Sequence, residues 1–148
     1  MELIPVGKTI EENQAFADHP DCRESLSPAI EHFNRVGYVP PWIGYFAKVG
    51  DNLVGSAGFV GAPKEGKVEI AYGTFPAYQN QGIGSQICHQ LVTLTLTTDP
   101  TLHITANTLP EGNFSTKILQ KNGFERNGTA WDDDEGEVWA WEYRAGSE

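Results

Sequence analysis

The sequence predicts an α+β fold on a mixed, mostly antiparallel sheet, and three stretches carry that prediction. From Trp42 to Phe75 three extended runs follow one another through short turns, the pattern of an antiparallel meander. From Lys67 to Asn107 a strand, a helix and a returning strand imply a crossover, which sets its two strands parallel. From Phe124 to Arg144 two alternating runs flank Asp132-Asp-Asp-Glu-Gly136, a closing hairpin.

Taken in order, residues 1–6 form a short first strand. Thr9-Ile-Glu-Glu12 has the form of a capping box and opens a helix through Phe16, which Asp18-His-Pro20 stops. A second helix starts at Ser27-Pro28, with serine as cap and proline in the first turn, and turns Ile30, Phe33 and Val36 inward ahead of Gly37. Tyr38-Val-Pro-Pro-Trp42 is a stiff aromatic connection that serves either as a binding wall or as a core plug. Strands over 42–49 and 53–61 meet at Gly50-Asp51-Asn52. In the strand over 67–75, Val68, Ile70 and Tyr72 alternate with Glu69, Ala71 and Gly73. Ile83, Ile87, Leu91 and Leu94 then fall at helical spacing from Gly82 to about Leu94. Leu102, Ile104 and Ala106 alternate in the strand over 101–107. Asn113 caps a helix with Phe114 and Ile118 on one face, and Gly123 ends it. In the last hairpin Trp139, Trp141 and Tyr143 make one face aromatic.

A chain of 148 residues, 39% hydrophobic and 20% charged, fits a single domain over residues 1–148. Twenty acidic against ten Lys and Arg residues give a formal charge of −10, which argues against nucleic acid or an anionic membrane as partner and permits a cationic one. With no leader pattern and no apolar run near the roughly 18 residues of a membrane span, the expectation is a cytoplasmic protein. Cys22 and Cys88 read as reduced thiols, and the four histidines include no His-x-x-x-His pair, so no metal is expected. The contiguous acids of Asp132 to Glu135 read as a solvated turn rather than a calcium loop.

The chemistry concentrates between the strand at Lys67 and the helix after Gly82. In Gln79-Asn-Gln-Gly82-Ile-Gly84 the glycines let backbone N–H groups converge without interference from Cβ. The helix that follows adds unsatisfied N–H groups and a positive dipole end, a seat for phosphate. It is not a P-loop, because Gly84 is followed by Ser85-Gln86 rather than Lys-Ser/Thr. Nor is it a dinucleotide fingerprint, because Ile87 stands where a small third residue is needed.

Gln-x-x-Gly-x-Gly behind a strand ending in x-x-Pro-x-Tyr resembles the acetyl-CoA pyrophosphate loop of the GNAT superfamily of N-acetyltransferases. About 30 residues later, Asn113-x-Ser115-x-x-Ile118-Leu119-x-Lys121-x-Gly123-Phe124 is similar to the fourth-helix motif of that superfamily, nearest to the branch that acetylates N-terminal amines of ribosomal proteins. The resemblance implies six to seven strands flanked by four helices, splayed between the strands at Val68 and Leu102, with acetyl-CoA as cosubstrate in the splay. It puts the pyrophosphate on the backbone of Gln79, Asn80, Gln81, Gly82, Ile83 and Gly84. The pantetheine arm lies against Thr74 and Phe75, and Asn113 contacts it from the other wall.

The reaction implied is direct attack of a neutral amine on the thioester, which needs a base, an oxyanion donor and an acid. A backbone N–H near Phe75 serves the oxyanion. Glu69 is the first candidate for the base, and His103 the second; for Glu69 the competing reading is a hydrogen-bonded structural carboxylate. Many members place an acidic tyrosine where this chain has Leu119, so Ser115 becomes the candidate acid, or else a second capping hydroxyl. The alternative function is an acyl-CoA-binding sensor or partner-binding module of the same fold with impaired chemistry. A third is another nucleotide-phosphate binder. The acceptor is a small-molecule or peptide amine, with basic peptides or polyamines favoured by the acidic turn, and the protein is a monomer or homodimer.

Overall fold

The computed structural model describes residues 1–9, 11–16, 19–110, 114–133 and 135–144. Seven strands form the sheet: β1 (Glu2–Pro5), β2 (Gly44–Val49), β3 (Asn52–Phe59), β4 (Lys67–Thr74), β5 (His103–Thr108), β6 (Phe124–Asp132) and β7 (Gly136–Tyr143), in the order β1-β2-β3-β4-β5-β7-β6. Among these neighbours only β4 and β5 run parallel, the pair joined by the crossover helix α2 (Ile83–Thr98). The mixed, mostly antiparallel α+β sheet is therefore the one the meander, crossover and hairpin predict.

Two other α-helices, α1 (Pro20–Val36) and α3 (Phe114–Lys121), and a 3-10 segment over Glu11–Phe16 complete the helical set, with one further turn at Pro76–Tyr78. The capping-box contact exists, with the Glu12 N–H donating to Thr9 Oγ1 at 3.2 Å, yet it opens only a 3-10 segment kinked at Asn13. The second helix differs more from expectation. Pro20 does not stop a helix but occupies the first turn of α1, and Pro28 lies inside it rather than at its start. Either proline suits a first turn. The longer helix buries Cys22 and Leu26 as well as Phe33, apolar area that outweighs the hydrogen bond Pro28 cannot make. Val36 is not inward but exposed, at the last residue before Gly37. Asp18, in the segment read as a stop, lies outside the described residues.

Tyr38 and Trp42 resolve as packing. Tyr38 meets Phe33 edge-on at 5.1 Å and donates its hydroxyl to Val6 O, while Trp42 meets Phe59 edge-on at 5.1 Å. The largest fully buried side chains among the described residues are Phe46, Ile70, Ile87, Leu91, Ile104 and Leu119, which join sheet, α2 and α3 in one core. Gly55 is what lets α2 lie this close, because a Cβ there would stand 2.5 Å from Gly73 O and 2.9 Å from Ile87 Cδ1. Thr95, fully buried on α2, satisfies its hydroxyl on Leu91 O at 2.8 Å. No helix among the described residues is long and apolar enough to cross a membrane.

The parallel pair is short. β4 and β5 match only at Lys67–His103, Val68–Ile104 and Glu69–Thr105, although β4 runs on to Thr74 and β5 to Thr108. Beyond those three pairs the strands part, and the splay opens.

Candidate functional site

Backbone direction in β4 follows from its partners. Val60 N–H donates to Glu69 O and Phe75 N–H to Val54 O, both at 2.9 Å, so the odd-numbered residues from Glu69 to Phe75 turn their peptide groups toward β3. By alternation Tyr72 and Thr74 turn theirs the other way, into the gap that β5 leaves. A cleft of about 550 Å³ occupies that gap. Its β4 wall is Tyr72, Gly73 and Thr74, its floor runs from Tyr78 through Asn80 and from Gly82 to Ser85, and its third wall is Ser115, Lys117, Ile118 and Lys121 of α3.

The floor is built for an anion. Asn80 and Gly82 take left-handed backbone angles, φ 65° and 79°, and a Cβ on Gly82 would meet nothing within 4 Å, so backbone conformation rather than space asks for glycine there. The first helical bond of α2 runs from Gln86 N–H to Gly82 O at 3.1 Å, leaving the N–H groups of Ile83, Gly84 and Ser85 ahead of it, and no side chain caps the helix. Bare donors at a dipole's positive end attract negative charge. Lys117 and Lys121 add cations, and among the described residues no acidic side chain lines this cleft, in a chain of net charge −10. Gly84 is the point where the three walls meet, since a Cβ there would stand 2.8 Å from Ile118 Cδ1 and 3.3 Å from Thr74 Oγ1.

Of the positions the sequence singles out for donor binding, Thr74, Gln79, Asn80, Gly82, Ile83 and Gly84 line the cleft, as does Ser115. Gln81 does not line it, and Asn113 lies outside the described residues. Phe75 is buried, its ring 6.3 Å from Phe46 and 5.6 Å from His19, and its N–H is spent on Val54 O. The free N–H donors beside it belong to Tyr72 and Thr74.

Glu69 stands at the last paired rung before the splay, on the sheet face opposite Val68 and Ile70, which are buried. Asn107 Nδ2 lies 3.5 Å from its Oε2. Burial, and after it the nearby Asp132 carboxylate, holds the Glu69 carboxyl above the ordinary carboxyl value. His103 is two rungs further from the opening, opposite Lys67, with its side chain 62% exposed and Nδ1 3.7 Å from Glu142 Oε2. Glu69 thus stands at the edge of the splay and His103 two rungs further back, and neither lines the cleft itself. Leu119, 1% exposed, is core.

Seven cleft residues had no binding or catalytic role assigned from sequence: Tyr72, Gly73, Tyr78, Ser85, Lys117, Ile118 and Lys121. The lysines were detectable as an i, i+4 pair, which puts two cations on one face of α3. Tyr72 reads as core by alternation, and it is half core: its buried hydroxyl sits by the Cys88 thiol, and burial pushes both groups up, Cys88 to about 12.

Residues 8–125 match the family described as an acetyltransferase (GNAT) domain. No curated protein matches the sequence. Solved structures share the fold at low identity. The aminoglycoside acetyltransferase AAC(6')-Ib in complex with coenzyme A is 22% identical at a TM-score of 0.60, over 70% of this chain and 66% of that one, so this chain spans just under two thirds of its length. A spermidine N-acetyltransferase, the SpeG F149A mutant from Vibrio cholerae, is 13% identical at a TM-score of 0.71 over 97% and 94% of the two chains. RimL, a ribosomal L7/L12 alpha-N-protein acetyltransferase in complex with coenzyme A, is 16% identical at a TM-score of 0.65 over 99% and 100%.

Proposed function

The chain belongs to the GNAT acetyltransferase family, and from that premise we propose that it moves an acetyl group from acetyl-CoA to a primary amine by direct attack on the thioester. The observation that carries the reading is one continuous cleft whose strand wall has unpaired backbone groups and whose floor is an uncapped helix N-terminus. An amide-bearing arm that ends in phosphates meets matching chemistry along its whole length. Tyr72 and Thr74 offer the strand-like hydrogen bonds, the N–H groups of Ile83, Gly84 and Ser85 offer donors to the diphosphate, and Lys117 and Lys121 offer charge. The donor supplies an activated acetyl carbonyl.

The remaining work falls to side chains. Glu69 removes the proton from the incoming ammonium; a carboxylate raised by burial binds that proton better than an exposed glutamate does. The N–H groups of Tyr72 and Thr74, rather than that of Phe75, steady the carbonyl oxygen as it gains charge. Ser115 on α3 returns a proton to the departing sulfur. The acceptor enters beside Glu69, where the Asp132 turn adds negative field, so cationic amines are preferred; the aminoglycoside and spermidine enzymes of the same fold act on such molecules.

Leu119 favours a second reading, a donor-binding sensor of the same fold without turnover, because a buried leucine has no proton to give. One experiment separates the two: calorimetry with CoA, followed by acetyl-CoA with a panel of polyamines, aminoglycosides and basic or neutral peptides, read as CoA release. Binding with turnover supports the enzyme, binding without turnover on any amine supports the sensor, and no binding overturns both.

A further inference from the structure

Behind the phosphate seat lies a side chain that touches both helices forming it. Asn122 ends α3, its N–H bonded to Ile118 O and Leu119 O at 3.1 Å, and its side chain reaches across to α2. Asn122 Nδ2 lies 2.9 Å from Ile118 O, 3.1 Å from Ser85 Oγ and 3.4 Å from Ser85 O. Two of these oxygens are carbonyls, which only accept, so an amide nitrogen is required at this spot.

Ser85 stands in the first turn of α2, where the residue four back, Gln81, lies outside the helix. Ser25, Thr95 and Thr98 each return their proton to the carbonyl four residues back. Ser85 makes no such bond among the described residues and instead accepts from Asn122. A hydroxyl that accepts on one lone pair keeps its proton to donate, and Ser85 lines the cleft. The neighbour of Asn122 on the other side, Lys121, lines it as well.

We propose that Asn122 is a positioning residue for the donor's phosphates, holding the first turn of α2 against the end of α3 and aiming the Ser85 hydroxyl proton into the cleft. This rests on the reading that the cleft takes acetyl-CoA. The clamp acts where the phosphates go and not along the strand wall, so its loss weakens phosphate-bearing donors and spares the arm.

The test is calorimetry on wild type, Asn122→Ala, Asn122→Asp, Ser85→Ala and the Asn122→Ala/Ser85→Ala double variant, with CoA and with pantetheine, which lacks the phosphates. Thermal unfolding of each variant serves as the folding control. Loss of one such hydrogen bond predicts CoA affinity about three- to tenfold weaker in each alanine single variant, with pantetheine within about twofold of wild type. The double variant is no weaker than the worse single, because the two residues act through one bond. Asn122→Asp is the most damaged, since it sets a carboxylate against the Ile118 and Ser85 carbonyls and draws the Ser85 hydroxyl proton away from the cleft. Additive losses, equal losses for CoA and pantetheine, or unchanged CoA affinity in a folded Asn122→Ala protein overturn the proposal. A wild type that takes neither ligand overturns the proposed function together with it, whereas tight wild-type binding that is indifferent to Asn122 overturns this inference alone.

Discussion

The two ends of the splay are made of different material. The donor end is backbone: left-handed Asn80 and Gly82, the uncapped start of α2, and the inward-turned peptide groups of Tyr72 and Thr74. The end proposed for the acceptor is side chain: Glu69, Asn107 and the Asp132 turn, carried on strands whose backbones are already paired. Backbone sites depend on conformation and tolerate exchange of exposed side chains, while a side-chain site changes with one substitution. On the proposed function, donor chemistry is fixed by the fold and acceptor choice is left to a few replaceable groups.

The largest expected effect tests the acceptor end. A general base contributes on the order of a hundredfold to ten-thousandfold, so Glu69→Gln should lower kcat/KM for the amine at least a hundredfold while CoA affinity stays within twofold. His103→Gln, exposed and facing Glu142 at 3.7 Å, should change either quantity less than about twofold. The same glutamate has a stability signature. Its folded carboxyl is raised, so the folded chain keeps the proton to higher pH than the unfolded chain does. The stability this contributes is present below the ordinary carboxyl value and is lost as pH rises through the raised one. Thermal midpoints of Glu69→Gln and wild type should therefore converge at low pH, and the variant should gain on wild type as pH rises. A midpoint difference independent of pH would show that Glu69 is not strained by its burial.

Next in size is the donor end. Gly84→Glu should weaken CoA binding tenfold or more, and it should also cost about 1–3 kcal/mol of stability, because its side chain runs into Ile118 and Thr74. Gly82→Ala separates the two effects, since its Cβ enters open space and only the left-handed φ resists, at about 1 kcal/mol. If a folded Gly82→Ala protein and a folded Gly84→Glu protein both keep wild-type CoA affinity, the loop is not the phosphate seat.

The same contrast decides what the sequence could reveal. Gln79 to Gly84 was legible because glycine spacing at a strand-to-helix turn reflects backbone angles that few residues adopt, and the parallel pair followed from the crossover. The start of α1 was not legible: Pro20 and Pro28 both suit a first turn, and only tertiary burial of Cys22 and Leu26 chooses between them. Which backbone N–H near Phe75 faces the gap was not legible, because the pairing of Phe75 with Val54 depends on register, which no local pattern encodes. The placement of Glu69 before the splay and His103 behind it depends on that same register.

Lys117 and Lys121 should show a smaller effect. Both are exposed on α3, so each Ala substitution should weaken CoA about two- to fivefold, more at low salt than at high. Pantetheine affinity should not change. A loss that ignores ionic strength would assign these lysines to packing rather than to charge.

Asp132 gives the smallest and most selective effect, because it acts on both the acceptor and the base through space. Its Oδ1 accepts the Glu135 N–H at 3.0 Å, a bond that asparagine can keep, so Asp132→Asn removes charge while leaving the turn its partner. Asp134 of the same acidic run lies outside the described residues, and Asp132 alone carries the test. The carboxylate is the lesser of two causes raising Glu69, behind burial, so the half-point of the amine pH–rate profile should move down only part of the way toward the ordinary carboxyl value. For a polyamine acceptor KM should rise about twofold at low salt, and the difference from wild type should fade as the Debye length falls to roughly 8–10 Å. KM for acetyl-CoA, bound at the other end of the splay, should not respond. A pH profile that stays put while the polyamine KM rises would mean Asp132 touches the acceptor without acting on Glu69. A shift of both KM values together would mean that the turn supports the fold and steers nothing.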